Sequence, residues 1–317
     1  MTVVIMVSLH PPVFQQSGYP KAPNGAKMPT MDIWTDIPQE LRERLERLEE
    51  LLRSYGSVAL GFSGGVDSTF LAAACARCMP EHTLLVHLDT PLVGTPERTA
   101  FERGADGLGL ELIAIEVDPL ADPTIAANPA DRCYHCKRAG FMRICEVARR
   151  RGFAAVIDGS NADDADDYRP GMRAIRELGV RSPLMETGWH KADERTVLRA
   201  WGVPVWNLPA GACLATRIPC GEALTARKLE IVRACEDYLH ELGLRQVRVR
   251  LVDGHAQVSA APDDLERLQS LAAAGTSTAG KNGVSLSPAI VEALLCRGAR
   301  KVDPIARVYA KGAMNAR

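Results

Sequence analysis

Two adjacent glycines, Gly64 and Gly65, separate an apolar strand-like run, residues 57–62, from an apolar helical run. Glycine lets the backbone approach a ligand closely and adopt φ values that other residues avoid. The hydroxyls of Ser63 and Ser68, with the amide N–H groups that open the helix, then face whatever occupies the loop. Because a helix N-terminus favours negative charge, the sequence predicts a phosphate-binding loop between a strand and a helix.

The loop differs from two common phosphate-binding patterns. It lacks both the Walker spacing Gly-x-x-x-x-Gly-Lys-Ser/Thr and the dinucleotide fingerprint Gly-x-Gly-x-x-Gly. The stretch Ser-Gly-Gly-Val-Asp-Ser, residues 63–68, instead resembles the PP-loop of ATP pyrophosphatases, which split ATP into AMP and pyrophosphate to activate a substrate oxygen. A flexible Gly-Ser turn is the alternative. The flanking strand and helix and the internal acid Asp67 favour the ATP-binding interpretation.

Strands and helices alternate through the first two thirds of the chain. This pattern predicts an α/β fold, a parallel sheet with helices on both faces, which we assign to a PP-loop domain at residues 37–205. Such sheets bind ligands beyond the carboxyl ends of their strands, where the loop and residues 158–167 both fall. The predicted strands are Val58–Phe62, Leu84–Leu88, Leu112–Val117 and Ala154–Ile157, and the predicted helices are Ile37–Tyr55, 66–78, 96–107, 136–150 and Lys191–Trp201.

The pattern changes in the last third, where we expect a smaller α+β domain over residues 206–317. A long helix, 224–242, precedes two strands that form a hairpin turning at Asp253-Gly254. A helix at 262–273, a polar linker at 274–283, a last helix and a short strand follow. At the other end, residues 1–36 are predicted to form a disordered leader, because residues 8–31 mix Pro, Gly, Gln and Ser without periodicity.

Composition restricts the partners and the compartment. The formal net charge of −1 over 317 residues provides no global field toward nucleic acid, so a nucleic-acid partner is not expected. No apolar run approaches the ~20 residues that span a bilayer, so no membrane association is expected. Nine cysteines are an odd number and too few for a secreted disulfide framework, which favours a cytoplasmic protein.

An acidic stretch, residues 158–167, follows the fourth predicted strand. Its carboxylates would repel one another unless a cation lay among them. ATP chemistry supplies Mg²⁺, which binds one or two carboxylates plus phosphate oxygens. Asp164 and Asp167 are our candidate Mg²⁺ ligands, and a solvated acidic turn is the alternative.

Three cysteines stand apart from the rest. Cys133 and Cys136 open a predicted helix on one face, where the helix dipole favours thiolate, and Cys213 lies much later. Such thiolates can bind a metal, form a disulfide or attack an acyl-adenylate. Two cysteines cannot complete a structural zinc site, but three can bind three irons of a 4Fe–4S cluster and leave the fourth open.

Other cysteines fit a core role. Cys75 and Cys78 continue the apolar stripe of Phe70 and Leu71, and behave as small hydrophobes. Cys145 and Cys235 fall within amphipathic helices and receive the same interpretation.

Arginines crowd one predicted strand of the smaller domain. Arg248 and Arg250 lie on the same face, where an arginine pair can clamp a phosphate or carboxylate. A solvated strand face explains the pattern equally well.

Together these pieces resemble, in this order, the LarE-type ATP-dependent sulfur transferases of nickel-pincer cofactor synthesis. The likeness covers residues 38–317, and Asp-Tyr-Arg-Pro-Gly and Cys-Leu-Ala-Thr-Arg are its most specific stretches. The matching segments are Ser63–Ser68, Arg132–Lys137, Asp158–Gly171, Leu178–Leu184, Cys213–Pro219, Val247–Arg250 and Gly312–Asn315.

The resemblance implies a two-step reaction. A pyridinium carboxylate mononucleotide attacks the α-phosphorus of ATP to give an acyl-adenylate and pyrophosphate, and sulfur then displaces AMP. In single-cysteine members the cysteine at the position of Cys213 gives up its own sulfur, whereas three-cysteine members bind a 4Fe–4S cluster through the positions of Cys133, Cys136 and Cys213. The implied ATP contacts are Ser63, Gly64, Gly65, Asp67 and Ser68, and the implied substrate-phosphate contacts are Thr216, Arg217, Arg248 and Arg250.

Departures from the family pattern and competing functions remain. Residues 301–311 match poorly, and the strand at 255–260 lacks an acid expected near its end. A tRNA-thiolating PP-loop enzyme, an amidating synthetase and a nucleotide-binding sensor without catalysis are the alternatives. We also expect a homo-oligomer.

Overall fold

The computed structural model describes residues 36–309 except 97, 99, 100, 102–104, 106, 165–169, 210 and 273–282. The predicted leader, the candidate ligand Asp167 and the Gly312–Asn315 tail therefore lie outside the described residues, as do most of the predicted linker 274–283 and part of the predicted helix 96–107.

Four parallel strands form the first sheet, which confirms the predicted α/β fold. The strands are β1 (Val58–Gly61), β2 (Thr83–Asp89), β3 (Glu111–Glu116) and β4 (Ala155–Ile157), in the spatial order β3-β2-β1-β4. In this register Leu60 pairs with both Leu85 and Ile157. The two central strands are apolar because helices cover both faces, whereas the edge strand β3 alternates with polar residues.

Helices of the first part bury apolar stripes on the sheet. In the first helix, Leu41, Leu45, Leu48 and Leu52 recur at helical spacing and are buried. Phe70 packs between Trp189 and Trp201, with ring centroids 4.6 and 5.7 Å away. The helices are α1 (Gln39–Ser54), α2 (Val66–Cys78), α3 (Pro123–Ala126), α4 (Arg132–Arg151), α5 (Pro170–Glu177), α6 (Pro183–Glu186) and α7 (Lys191–Ala200).

The smaller C-terminal sheet has a separate apolar core, built around Val249, Val258 and Leu239. Asp253 and Gly254 both have positive φ, 45° and 77°, as a two-residue hairpin turn requires, so the predicted hairpin is confirmed. The elements are α8 (Ala226–Glu241), β5 (Val247–Val252), β6 (His255–Ala260), α9 (Pro262–Ala272), β7 (Val284–Ser285), α10 (Pro288–Cys296), β8 (Lys301–Val302) and β9 (Ile305–Val308). A domain division at residues 205 and 206 stays our prediction.

Strand order fixes where a ligand can bind. The chain runs from β1 outward through β2 to β3 and then returns to place β4 on the other side of β1. The loops after β1 and β4 therefore diverge around one crevice, the usual ligand position in such sheets. They touch at Gly159, where an added Cβ would lie 3.0 Å from the backbone N of Ser68. Within the described residues no helix combines the length and apolar character that crossing a bilayer demands.

Candidate active site

The predicted phosphate loop connects β1 to α2 as a tight turn. Gly64 has φ +77°, and Gly65 precedes the first residue of the helix. The hydroxyls of Ser63 and Ser68 lie 3.0 Å apart, and the amide of Gly65 points toward the Ser63 hydroxyl at 3.4 Å. The turn thus places two hydroxyls beside the N-terminus of a 13-residue helix, which suits a phosphate.

Asp67 lies in the first turn of α2 and takes part in a polar network. Its Oδ2 accepts a hydrogen bond from Lys191 Nζ at 2.9 Å, and its Oδ1 accepts one from Asn161 Nδ2 at 3.1 Å. The same Asn161 amide donates to Glu194 Oε1 at 3.0 Å. Burial, together with the neighbouring Asp67, raises the pKa of Glu194 to about 9. Glu194 is therefore protonated at neutral pH.

The acidic stretch after β4 divides into separate roles. Asp158 is buried and accepts hydrogen bonds from Ser160 and Ser182, both at 2.6 Å, and from Lys137 Nζ at 3.3 Å. A hydrogen bond from His190 is the largest factor that lowers the pKa of Asp163. These acids are thus held by protein donors.

Of the two candidate Mg²⁺ ligands, the structure describes one. Asp164 is half-buried, and its Oδ2 accepts the backbone N–H of Asn161 at 3.2 Å. This contact places Asp164 in the loop whose Asn161 side chain reaches Asp67. Its role as a Mg²⁺ ligand stays a prediction.

The structure brings the three singled-out cysteines together. Cys133 and Cys136 lie in the first turns of α4, and Cys213 precedes a short 3₁₀ turn, Leu214–Arg217. Burial, followed by the nearby Cys213 and Cys133 thiols, raises the pKa of Cys136 to about 12. Burial likewise raises the pKa of Cys213, and the Arg132 guanidinium opposes this rise.

Cysteines predicted to be structural lie in the cores. Cys75 is fully buried, and Cys78 packs beside it against the same core. Cys235 is fully buried in the smaller domain, and Cys145 packs beneath α4. Among the residues that the structure describes, no three His, Cys, Asp or Glu side chains are arranged around a single metal ion.

A buried polar junction positions the cysteine segments. Arg132 donates to Asn128 Oδ1 at 2.5 Å and to the carbonyl of Ala215 at 3.2 Å. Asn128, which has φ +56°, donates in turn to the carbonyls of Pro219 at 2.7 Å and Glu222 at 3.1 Å. The start of α4 is therefore bonded directly to the segment that carries Cys213.

Arg217, predicted to contact a substrate phosphate, is 3% exposed and pairs with Glu236. Its Nη1 also donates to the carbonyls of Ala212 and Cys213, at 2.8 and 3.1 Å, and to Thr216 Oγ1 at 3.0 Å. The guanidinium thus organises the Cys213 turn from within. A direct contact with substrate stays a prediction.

The predicted arginine pair lies on one face of β5. Arg248 and Arg250 alternate with the buried Val247, Val249 and Leu251. Arg248 lines the cavity described below, whereas Arg250 lies two residues further along the strand. The Nε atom of Arg250 is buried and has no hydrogen-bond partner within the described part of the chain.

One cavity of about 510 Å³ joins these groups. Its wall includes the PP-loop residues Ser63, Gly65 and Asp67, the thiol-bearing residues Cys136 and Cys213, and Arg248. A nucleotide at the loop and a substrate near the cysteines would therefore share one enclosed space.

The end of β2 contributes an aromatic side chain to this cavity. His87 stacks on Phe101 with centroids 3.6 Å apart, and its Nδ1 lies 3.0 Å from the Phe62 carbonyl. Burial lowers the pKa of His87, so the ring is neutral at neutral pH.

Several polar residues of the site belong to no sequence motif and were not predicted. Lys191 and Glu194 lie on a helix whose charges are typical of a solvated face, and Asn128 follows a short turn without a motif. The available signal was weak, since only their hydrogen bonds to distant parts of the chain show that they belong to the site. The missed residues are Asn128, Asn161, Lys191, Glu194 and Glu236.

Comparison with known proteins supports the geometry. Residues 40–165 match the family model described as asparagine synthase, which covers the PP-loop part of the chain. A glutamine-hydrolyzing GMP synthase of Methanopyrus kandleri is similar in one of its component chains, which is 28% identical over 62% of this chain and 67% of its own length. These matches show a shared ATP-binding architecture.

Two other relatives reach further in identity and coverage. An uncharacterised protein of Synechocystis is 34% identical over 72% of this chain and 85% of its own length. The pyridinium-3,5-bisthiocarboxylic acid mononucleotide synthase of Lactiplantibacillus plantarum is 32% identical over 65% of this chain and 75% of its own length. With the PP-loop, the cysteine-lined cavity and the arginine-bearing strand in place, the chain belongs to the LarE-type family of ATP-dependent sulfur transferases, within the PP-loop ATP pyrophosphatases.

Proposed function

We propose that this enzyme adenylates a pyridinium carboxylate mononucleotide and converts its carboxylate to a thiocarboxylate for nickel-pincer cofactor synthesis. The single cavity carries this proposal, because it joins the PP-loop to Cys136, Cys213 and Arg248. A relative named for the synthesis of a bisthiocarboxylic acid mononucleotide supports the choice of substrate.

The first step uses the loop. A carboxylate oxygen of the substrate attacks the α-phosphorus of ATP, the α–β phosphoanhydride bond breaks, and pyrophosphate leaves. The Ser63 and Ser68 hydroxyls and the N-terminus of α2 bind the departing phosphates, whose charge they stabilise. Mg²⁺, bound by Asp164 and Asp167 with phosphate oxygens, would neutralise the pyrophosphate as it forms.

The second step needs sulfur at the acyl carbon. A sulfur nucleophile adds to the activated carbonyl, the acyl–oxygen bond breaks, and AMP leaves with its oxygen. Cys213 and Cys136 line the cavity in which this adenylate forms, and the position of Cys213 is set by the carbonyl contacts of Arg217. The sulfur is therefore supplied from the wall opposite the PP-loop.

The three thiols fit a 4Fe–4S cluster by the chemistry of their donor set. Cys133, Cys136 and Cys213 are close enough to shift one another's pKa, and a cluster of this kind takes one thiolate at each iron. When bound, the cluster supplies sulfide as the sulfur donor. Direct donation by Cys213, which would leave dehydroalanine, is the second candidate, and it is favoured by the position of Cys213 on the cavity wall.

The smaller domain would hold the substrate phosphate. Arg248 lines the cavity and Arg250 follows on the same strand face, an arrangement suited to bidentate phosphate contacts. We assign Thr216 to the same subsite, since its turn carries Cys213. Arg217 would act there from behind the turn, through its contacts with Thr216 and Cys213.

The test of this function follows the oxygen and sulfur atoms. Anaerobically purified enzyme is incubated with ATP, Mg²⁺ and a carboxylated pyridinium mononucleotide, and the products are separated and weighed by mass spectrometry. We expect AMP, pyrophosphate and a substrate mass gain that corresponds to exchange of oxygen for sulfur. AMP formation that requires tRNA instead, or ATP binding without any AMP, would overturn the proposal in favour of a tRNA-thiolating enzyme or a sensor.

Two further assignments belong to this proposal. We place the enzyme in the cytoplasm, where its nine cysteines would remain reduced as the structure shows them. A homo-oligomer is expected, and light scattering of the purified protein measures its size.

A further inference from the structure

Glu194 is a buried acid that the proposed reaction does not use. It lies in α7 and has no exposed surface. Its Oε1 accepts a hydrogen bond from Asn161, but its Oε2 is buried and receives none from any N–H or O–H group in the part of the chain that the structure describes. A buried carboxylate oxygen without a donor is costly, so this group needs another explanation.

The missing partner is a second acid. Glu194 lies in hydrogen-bonding contact with Asp67, the acid of the PP-loop. Two carboxylates cannot bond to each other unless one carries a proton. The charged groups that face Glu194 are Asp67 from α2 and Lys191 from its own helix, and the loop after β4 contributes the neutral amide of Asn161. One cation beside two acids leaves room for one shared proton.

The geometry decides which acid holds that proton. Asp67 already accepts hydrogen bonds from Lys191 Nζ at 2.9 Å and Asn161 Nδ2 at 3.1 Å, both of which favour its ionised form. Glu194 is deeper, and only the Asn161 amide donates to it. The proton therefore resides on Glu194, and its O–H points toward Asp67.

We propose that Glu194 is a positioning residue, which keeps a proton in the folded enzyme and donates it to Asp67, so that the PP-loop carboxylate is held in one orientation at the cavity wall. This role rests on the proposed function only in that Asp67 must act during ATP use. With Lys191, Asn161 and Glu194 each donating to it, the Asp67 side chain has no freedom left to rotate away from the nucleotide.

Two substitutions separate positioning from packing. Glu194→Gln keeps an N–H donor of similar size, whereas Glu194→Met keeps the volume but removes the donor. We expect Glu194→Gln to form AMP at the wild-type rate and KM for ATP near neutral pH. We expect Glu194→Met to raise KM for ATP about tenfold or more, as the loss of one hydrogen bond to a charged group implies.

The pH profile gives a readout that a packing role would not move. The ratio of wild-type to Glu194→Gln activity should stay constant below about pH 9 and fall above it, because only the wild-type donor is lost by ionisation. Glu49→Gln is the matched control, a buried glutamate whose partners Arg53 and Arg77 lie away from the loop. It should leave KM for ATP and the activity ratio unchanged.

A spectroscopic measurement does not depend on turnover. Infrared difference spectra of wild-type enzyme against Glu194→Gln at pH 7.5 should show the carbonyl stretch of one protonated carboxyl group. Absence of that band, or a Glu194→Gln enzyme as impaired as Glu194→Met, would overturn the proposal. If Glu194→Met fails to fold, the band and the Glu194→Gln profile still decide. Failure of the proposed function is distinguishable, because wild-type enzyme would then make no thiocarboxylate whatever the band shows.

Discussion

Arg217 and Glu236 form a buried, two-armed ion pair that bonds the Cys213 turn to the edge of strand β5. The Nε–Oε1 and Nη2–Oε2 distances are both 2.9 Å, and the two side chains are 3% and 6% exposed. Glu236 Oε1 also accepts the backbone N–H of Val249 at 2.8 Å. The strand that carries Arg248 and the turn that carries Cys213 are thus held at a fixed separation.

Breaking this pair should destabilise the protein strongly. Glu236→Ala leaves the Arg217 charge buried without its partner, and we expect a loss of about 3–5 kcal/mol in the free energy of unfolding. The double variant Glu236→Met with Arg217→Met should lose less than the sum of the single variants, because no charge is left buried. Urea unfolding measures all of these. Glu230→Ala, in an exposed pair with Arg227, is the control and should cost under about 1 kcal/mol.

Substitutions in the loop should abolish ATP cleavage without unfolding the chain. Asp67→Asn and Ser68→Ala alter groups that face the nucleotide and contribute little to the core, so AMP and pyrophosphate release should disappear while the circular dichroism spectrum is retained. Ser54→Ala, at an exposed helix end, should behave as wild type. A wild-type AMP yield from both loop variants would contradict the assigned role of the loop.

Cysteine substitutions should separate cluster ligands from core residues. Anaerobically reconstituted enzyme should be brown, carry about four irons per chain and turn over repeatedly when supplied with sulfide. Serine at Cys133, Cys136 or Cys213 should remove the iron, whereas serine at Cys75 or Cys78 should lower stability alone. Iron analysis and visible absorption measure the outcome. Colourless protein that reacts once per chain, with Cys213 lighter by hydrogen sulfide, would instead establish sacrificial donation.

The arginine pair should govern the substrate more than ATP. We expect Arg248→Ala combined with Arg250→Ala to raise KM for the pyridinium mononucleotide at least tenfold, since each lost charge-assisted contact costs about 1.5–3 kcal/mol. KM for ATP should change little. Arg227→Ala on the exposed surface of α8 is the control. Unchanged substrate dependence would show that the two arginines only form a solvated strand face.

Stability should fall as pH rises because of Glu194. Its pKa is raised to about 9 in the folded chain from 4.5 in the unfolded chain, so between these values the folded state binds the extra proton. Stability that is fully present below pH 4.5 is therefore lost progressively as pH rises toward 9. Thermal unfolding should show Glu194→Gln gaining stability relative to wild type across this window. A constant difference in Tm would contradict a raised pKa.

Local patterns were sufficient to predict most of the fold. The four strands of the first sheet were predicted within two residues of their observed ends, because buried parallel strands are uninterrupted apolar runs. Helix α4 begins at Arg132 rather than 136, since the Cys-x-x-Cys stretch itself forms its first turns. The turn at Asp253 and Gly254 followed from residue types that accept positive φ.

The site was predicted less completely, for a physical reason. Ser63–Ser68 and the cysteines carry motifs, whereas Glu194 and Glu236 are single acids in helices, where charge normally indicates a solvated face. Their burial depends on partners far along the chain, Asp67 and Arg217 among them. Asp158 shows the converse, since it belongs to the predicted acidic stretch but is enclosed by Ser160 and Ser182.

The bonded junction between Asn128, Arg132 and the Cys213 segment has a consequence for substrate selection. Its hydrogen bonds to the carbonyls of Ala215, Pro219 and Glu222 are buried, so the cysteine-bearing walls cannot swing toward the nucleotide without breaking them. Sulfur and adenylate must therefore meet through the dimensions of the substrate itself. The span from its activated carboxylate to its phosphate acts as a ruler, and molecules too short or too long to bridge the loop and Arg248 would be adenylated without receiving sulfur.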